Sequence, residues 1–320
     1  MSEFPSFLYI DDRNDHNRNA GNGGDLIKHT VYLTLLETVM QREPWRKEIR
    51  LRECHAGRGL YLTTPDNEWL GMNLHWKAEG SLLARSQRSA LSDLNVDVEE
   101  RPGVLYAGSS VLNLRVAAGA RKALTEFYEL KPRTREILQA VLKEARPDAP
   151  DLTISVPGRS GRTFDGEAYI ADSVEGWDER DLILLDPFSM WRQRKHQQRR
   201  DLYREILVGA VTKGCLVTIF FTWGNANRAA DEDLSGDRVT PMNGYGDLLR
   251  WLKLVDVNVV TVKWIWRYRF AMWIVLPGPE TRELRDDIAA NLRREVSLID
   301  RLSDSSAIGR LHPDTVVETV

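Results

Sequence analysis

Cysteine is nearly absent from this chain of 320 residues: Cys54 and Cys215 stand far apart, which argues against a disulfide framework and against a cysteine-built zinc site. No metal ion is expected. Long apolar runs are missing too. The longest, Leu182–Leu185 and Cys215–Phe221, are strand-length, well short of the ~20 residues of a membrane helix. The amino terminus, MSEFPSFLYIDDRND, carries early acids and no basic-then-apolar leader, so the expected location is the cytoplasm with no membrane partner. Neither sign of charge dominates. The net charge of −3 argues against a simple nucleic-acid-coating protein, although a near-neutral total can hide a local basic face. No internal repeat and no low-complexity linker divides the chain.

What is present is the balance of a globular enzyme, 42% hydrophobic and 28% charged residues, which excludes a mostly disordered or collagen-like chain. Asn22-Gly23-Gly24-Asp25 reads as a turn and cap before Leu26, Ile27, Val31, Leu33, Leu35, Leu36 and Val39 at roughly helical spacing. Strands are predicted at 49–52, 124–128, 168–170, 182–185 and 215–222, and helices at 133–145 and 199–212. The segments 257–265 and 269–276 read as a closing antiparallel pair, followed by an amphipathic helix over 283–302. Alternating strands and helices predict an α/β fold with a mainly parallel sheet. The expectation is one domain over 1–302, a helical insertion over about 62–105, and a loosely held tail over 303–320.

Four acidic residues are predicted where strands end: Glu53, Glu129, Asp172 and Asp186. In an open α/β sheet, ligands bind beyond the carboxyl ends of the strands. Glu53 precedes the glycine pair Gly57-x-Gly59, whose bare backbone can approach a ligand closely, and Glu129 is placed to accept hydrogen bonds from ribose hydroxyls. Such acids also serve as plain helix caps, and a lone GxG also marks a tight turn. Together the series points to a nucleoside cofactor, S-adenosylmethionine ahead of NAD or ATP, because the full GxGxxG and the GxxxxGK[ST] loop are both lacking.

The run Ala20-Gly21-Asn22-Gly23-Gly24-Asp25-Leu26-Ile27-Lys28-His29-Thr30 resembles the AGN-x-x-D-x-x-KH-T signature of the RlmJ-type methyltransferases, which methylate adenine N6 in bacterial large-subunit ribosomal RNA. Cys54-His55-Ala56-Gly57-Arg58-Gly59-Leu60-Tyr61 is similar to that family's THAGAG-x-Y, and Tyr106-Ala107-Gly108-Ser109 to its YPGS. Glu129-Leu130-Lys131-Pro132 resembles ELHP, Ala171-Asp172-Ser173 resembles ADG, and Leu184-Leu185-Asp186-Pro187 resembles the start of LIDPPY. The matches keep the family's order over about residues 16–300.

The resemblance implies a class I methyltransferase (Rossmann-like) fold and a pocket for S-adenosylmethionine built from Lys28, His29, His55, Gly57, Gly59, Ser109, Glu129, Asp172 and Ser173. Glu129 would hold the ribose and Asp172 the cofactor's adenine amine. Asp186 and Lys28 would lie at the reaction centre, with Pro187 and Phe188 completing the catalytic loop. An exocyclic adenine amine is a poor nucleophile because its lone pair is delocalised into the ring. A carboxylate and a backbone carbonyl that accept its hydrogens localise that pair, and positioning supplies the rest. The target base must also be swung out and stacked on an aromatic ring. Read without the resemblance, Lys28 and His29 are polar residues early in a helix, His55 a buried histidine, Ser109 a turn residue, and Asp172 and Asp186 loop caps.

The chain departs from the family where Asp186-Pro187-Phe188-Ser189 replaces Asp-Pro-Pro-Tyr, a form similar to the DPFG of three-Cys-motif partner proteins, and where Arg18-Asn19 replaces an aromatic residue and a histidine. Just beyond, Arg192, Arg194, Lys195, Arg199 and Arg200 form a basic run that suits nucleic-acid phosphates, RNA ahead of DNA, or else a solvated helix face. Ten tryptophans are many, and Trp264, Trp266 and Trp273 crowd together. Their first reading is sheet core, with base stacking or an interface to a protein partner or second copy through the Trp264–Trp273 region as alternatives. Two functional readings follow: a methyltransferase acting on adenine N6, ribosomal RNA first, or a degenerate relative that binds the cofactor or nucleic acid within a complex.

Overall fold

The computed structural model describes residues 20–63, 65–94, 96, 103–186, 197–225, 256–266, 268–300, 302 and 315–319. Helix α1 (Gly23–Val39) starts where Asn22 Oδ1 accepts from the N–H groups of Gly24 and Asp25 at 2.7 and 3.1 Å. Asp25 returns the favour to the Gly21 N–H at 3.2 Å, a reciprocal cap of the capping-box kind. Fourteen of the seventeen α1 residues are buried, so this helix is wrapped on nearly all sides.

Eight strands form one sheet. In chain order its strands are β1 (Glu48–Cys54), β4 (Lys122–Tyr128), β5 (Leu152–Ser155), β6 (Asp181–Leu185), β7 (Leu216–Asn225), β8 (Val257–Trp266), β9 (Tyr268–Pro277) and β10 (Val316–Thr319). Two short strands, β2 (Leu60–Leu62) and β3 (Leu105–Ala107), pair separately. Across the sheet the order is β10-β8-β9-β7-β6-β1-β4-β5. The strands from β5 to β7 are mutually parallel, and β9 runs antiparallel to both β7 and β8. This is the class I methyltransferase arrangement, a mainly parallel Rossmann-like sheet closed by a reversed strand.

Helices α4 (Ser109–Ala117), α5 (Pro132–Glu144) and α8 (Arg282–Asp300) join α1 over one face. Helices α6 (Gly166–Ser173) and α7 (Gln197–Thr212) cover the other. Strand β6 explains why both faces need cover: Leu182 and Leu184 enter the first core and Ile183 and Leu185 the second, as expected of a central strand read as one apolar run. Between β2 and β3 lie α2 (Pro65–Lys77) and α3 (Leu82–Asp93), in the segment read as a helical insertion.

Two expectations change. The segment Ala168–Asp172, read as a strand, is helix α6, begun by Asp165, whose side chain accepts from the Ala168 N–H. The strand of that unit is β5, hidden in sequence by its four-residue length and by the Pro157-Gly158 turn beyond it. The tail is not loose to its end: Val316–Thr319 adds an antiparallel edge strand to β8, with Glu318 on Lys263 at 2.6 Å. Its β-branched residues supply that preference. Trp264 and Trp273 are core residues, 2% and 0% exposed, in keeping with their first reading as sheet core; the side chain of Trp266 lies outside the described residues. No helix among the described residues is long and apolar enough to cross a membrane.

Candidate active site

The order of the sheet reverses between β1 and β6, the place where open α/β sheets form their ligand crevice. At the end of β6, Asp186 meets Lys28 of α1, Nζ to Oδ2 at 2.8 Å, across 158 residues of sequence. Asp25, one turn earlier on α1, holds the same ammonium at 3.0 Å. Burial alone would lower the Lys28 pKa, but the two carboxylates, Asp186 foremost, hold it well above its ordinary value, so it is a cation at neutral pH. The Lys28 ammonium also lies 5.4 Å from the ring centre of Phe220, in cation–π range. Phe220, Trp264 and Phe270 stack beside it. Phe270 comes so near α1 that a Cβ on Gly24 would sit 3.1 Å from its ring.

His29, the next residue of α1, turns the other way. Its Nδ1 is 2.7 Å from the Tyr106 hydroxyl, and the rings stack at 5.4 Å. Burial first, and then the Lys28 charge, push its pKa well below the ordinary value, so the ring is neutral. His29 is therefore a packed partner of Tyr106. Tyr32, one turn after Lys28, brings its buried hydroxyl beside that of Thr218 of β7, and burial raises its pKa well above the ordinary value.

Glu53, inside β1 and 2% exposed, accepts from the Ser109 hydroxyl in a short hydrogen bond and from Asn113 Nδ2 at 2.9 Å. Burial raises its pKa to about 7 against those two donors. Ser109, expected at the cofactor, is thus bonded to a buried carboxyl. A folded-state pKa above the unfolded one means that the native protein binds this proton more tightly. Stability is then greatest below the unfolded value and falls as pH rises toward 7. Glu53→Gln is expected to remove a decline on the order of 1–3 kcal/mol between pH 4.5 and 7, measured by urea unfolding of both proteins across that range. Equal slopes would show that Glu53 is ionised throughout.

The loop after β1 carries His55 and Gly57 at φ +66° and Gly59 at +80°. That left-handed backbone favours glycine at two of the three positions. At Gly57 the crowding is internal: a Cβ would lie 2.0 Å from the Tyr61 hydroxyl, which also accepts from the Arg58 N–H at 3.1 Å. At Gly59 a Cβ would lie 3.1 and 3.2 Å from Val141 and Leu138 of α5, a tight contact without an outright clash. The glycine pair thus answers first to Tyr61 and α5, a reason that spacing alone did not disclose. The Gly57 N–H itself points to Glu129, donating to Oε2 at 3.2 Å, while the Lys131 N–H donates to Oε1 at 3.0 Å. Each carboxylate oxygen keeps further acceptor capacity.

His55 pays for its backbone strain through its ring. Nε2 is 2.8 Å from Glu167 of α6, which also accepts from the Tyr203 hydroxyl at 2.8 Å. Burial opposes a charge on this ring, whereas Cys54 and Glu167 together lift its pKa well above the ordinary value. Burial pushes the Cys54 thiol up in turn. Glu53, Tyr61, Tyr106 and Glu167 were not among the predicted site residues; Tyr61 and Tyr106 lie within the motifs, and Glu53 among the strand-end acids.

The structure therefore brings Lys28 to Asp186 and Gly57 to Glu129, and places His55 on the same loop. It does not keep Asp172 in the strand-end series. Asp172 is exposed in the last turn of α6, and Ser173 is occupied locally, donating to the Ile170 carbonyl at 2.9 Å and accepting from Trp177 Nε1 at 3.2 Å. Pro187, Phe188, Arg192, Arg194 and Lys195 lie outside the described residues. Arg199 and Arg200 fall in the first turn of α7, their side chains likewise outside. No group of three or more His, Cys, Asp or Glu among the described residues is arranged to hold a metal ion.

No protein-family model matches the chain, and no curated protein matches its sequence. Among solved structures, it is similar to protein LPL1258 from Legionella pneumophila str. Philadelphia 1, described by the family-model DUF519, with TM-score 0.59, 17% identity, and coverage of 94% of this chain and 97% of that one. Looser likenesses are the O-methyltransferase TomG from Streptomyces achromogenes in complex with SAM (TM-score 0.39, 13% identity, 78% and 80% of the two chains) and an O-methyltransferase from Bacillus cereus in complex with SAH (TM-score 0.38, 11% identity, 78% and 80%). The likeness to the Legionella protein over nearly the whole of both chains shows a shared fold.

Proposed function

We propose that this protein is an S-adenosylmethionine-dependent methyltransferase acting on an adenine N6 in nucleic acid, ribosomal RNA first. The observation that carries the reading is the Lys28–Asp186 contact of 2.8 Å at the switch point of the sheet. The residues present fit the cofactor. Glu129, fixed by two N–H groups yet with acceptor capacity to spare, suits two ribose hydroxyls. Leu130 and Tyr169, 46% and 43% exposed, are apolar surfaces on the segments after β4 and on α6 that suit a purine face. When bound, S-adenosylmethionine supplies an electrophilic methyl group. The chain's own task is to present the amine. Asp186, oriented by Lys28, accepts a hydrogen of the amine and directs its lone pair. Lys28 acts through Asp186 and is a positioning residue.

Two measurements test this. Titration calorimetry with S-adenosylmethionine is expected to show one site per chain that weakens at least tenfold in Glu129→Ala. Labelled methyl groups are expected to pass from the cofactor to purified RNA and to appear as N6-methyladenosine on digestion. Binding without transfer to RNA or DNA would favour the degenerate relative, and absence of binding would defeat both readings.

A further inference from the structure

One basic surface plays no part in the site so far described. The loop between β5 and α6 runs Val156-Pro157-Gly158-Arg159-Ser160-Gly161-Arg162-Thr163-Phe164, and positions 158–163 are all exposed. Such a loop would ordinarily have no fixed shape, but this one is tied down by Arg135 of α5, which is 1% exposed. Its guanidinium donates to the carbonyls of Arg159 and Arg162, both at 2.6 Å, and to the Glu129 carbonyl at 3.1 Å. Gly158, at φ +118°, lets the chain pass so close that a Cβ there would lie 2.8 Å from Arg135 Cζ. The Phe164 N–H then closes the loop on the Leu130 carbonyl at 3.2 Å. A buried cation satisfied by three carbonyls thus fixes the loop to the segment that carries Glu129.

The pinning has an electrostatic result. Because their carbonyls face inward, Arg159 and Arg162 leave their side chains in solvent, and Arg133 is exposed in the first turn of α5. None of these three guanidinium groups has an ion-pair partner among the described residues. The nearby carboxylates are already committed: Glu129 to two N–H groups, Glu136 to the Ser160 hydroxyl at 2.6 Å, and Asp165 to the Ala168 N–H. Cations carried on a pinned loop beside a ligand crevice, with no ion-pair partner among the described residues, complement a row of phosphates.

We infer that Arg159, Arg162 and Arg133 form a docking surface for the phosphate backbone of the RNA substrate, with Arg135 as the positioning residue beneath it. The inference rests on the proposed nucleic-acid substrate and adds a second contact, on the β4–β5 side of the crevice, to the basic run that follows Asp186.

The test uses the full chain, bulk deproteinised large-subunit ribosomal RNA and fluorescence-detected binding at several salt concentrations, without cofactor. Arg159→Gln/Arg162→Gln is expected to weaken binding at least tenfold at low salt and to reduce the slope of log K against log salt by about 1 to 2, since each lost phosphate contact removes a little under one unit. Arg135→Met is expected to weaken RNA binding as well, with the loop exposed to limited proteolysis, and Arg159→Lys/Arg162→Lys to restore the salt slope. Calorimetry with S-adenosylmethionine should be unchanged in the glutamine double variant, which separates this surface from the cofactor site. An unchanged RNA affinity and slope in that variant, or wild-type protein that binds no RNA, would overturn the inference. Loss of RNA binding in the variant with no methyl transfer by the wild type would leave the surface standing and remove the enzyme reading.

Discussion

Asp186→Asn is expected to lower methyl transfer by about 10²–10⁴-fold, the range lost when a positioned carboxylate that handles a proton is removed, while the protein stays folded and still binds S-adenosylmethionine. The asymmetry of the charge cluster makes this separation achievable. Lys28 has two carboxylate partners, Asp186 at 2.8 Å and Asp25 at 3.0 Å, so neutralising one leaves the ammonium paired with the other. The reverse change behaves differently. Lys28→Met removes the cation that pairs with both Asp25 and Asp186, and their like charges then face each other at one end of a mostly buried helix. Like charges sharing a site raise the cost of ionising both. Lys28→Met should therefore lose both activity and thermal stability, whereas Asp186→Asn loses activity alone. Single-turnover transfer from labelled cofactor, paired with thermal denaturation of both variants, checks the contrast. A less than threefold loss in Asp186→Asn would remove Asp186 from the chemistry, and equal melting temperatures for both variants would show that Asp25 and Asp186 are not coupled through Lys28.

The parts of this arrangement that could be read from sequence are those fixed by local pattern. The run Leu182–Leu185 was legible as a central strand because both of its faces are covered, and Asn22 with Asp25 as a helix start because the cap lies within four residues. The meeting of Lys28 with Asp186 spans 158 residues and came within reach only through motif order, since no periodicity relates α1 to the end of β6. Asp172 shows the limit. Ala168-Tyr169-Ile170 has strand-like composition, yet Asp165 caps a helix there, and a one-turn decision by a side chain three residues upstream outweighed β-propensity. The role of Gly57 was equally hidden: bare backbone reads the same whether the close neighbour is a ligand or, as here, the hydroxyl of Tyr61. Glu167, the buried partner of His55, carries no sequence signal at all, because a carboxylate on a short helix looks solvent-facing until the fold brings Tyr203 and His55 to it.

The largest effect on stability is expected at the opposite end of the strand that delivers Asp186. Asp181, the first residue of β6, is fully buried and forms an ion pair with Arg52 of β1. Arg52 also reaches Glu126 of β4 at 2.9 Å and lies over Trp177 at 5.7 Å, and Asp181 accepts from the Asp178 N–H at 2.8 Å. One ion-pair chain thus ties together three adjacent parallel strands, β4, β1 and β6. Removing a single partner of a buried pair costs about 3–5 kcal/mol when the other charge is left alone, and because Arg52 keeps Glu126 the loss here falls toward the lower end of that range. Asp181→Ala should therefore lower the melting temperature by roughly 5–15 °C, given some 2–4 °C per kcal/mol for chains of this class. The double change Arg52→Met/Asp181→Leu should regain most of that loss, because apolar side chains of similar volume avoid the cost of holding two ions out of water. Transfer activity per folded molecule should survive in both, since Asp181 anchors β6 four residues before its last residue and the chemistry is assigned just beyond its other end. If Asp181→Ala melts within 2 °C of the wild type, the pair contributes no net stability and the alignment of β6 rests on its apolar run alone. If it melts low and the double variant melts equally low, the carboxylate acts through its bond to the Asp178 N–H, and the turn entering β6, instead of the cross-strand charge, sets the position from which Asp186 meets Lys28.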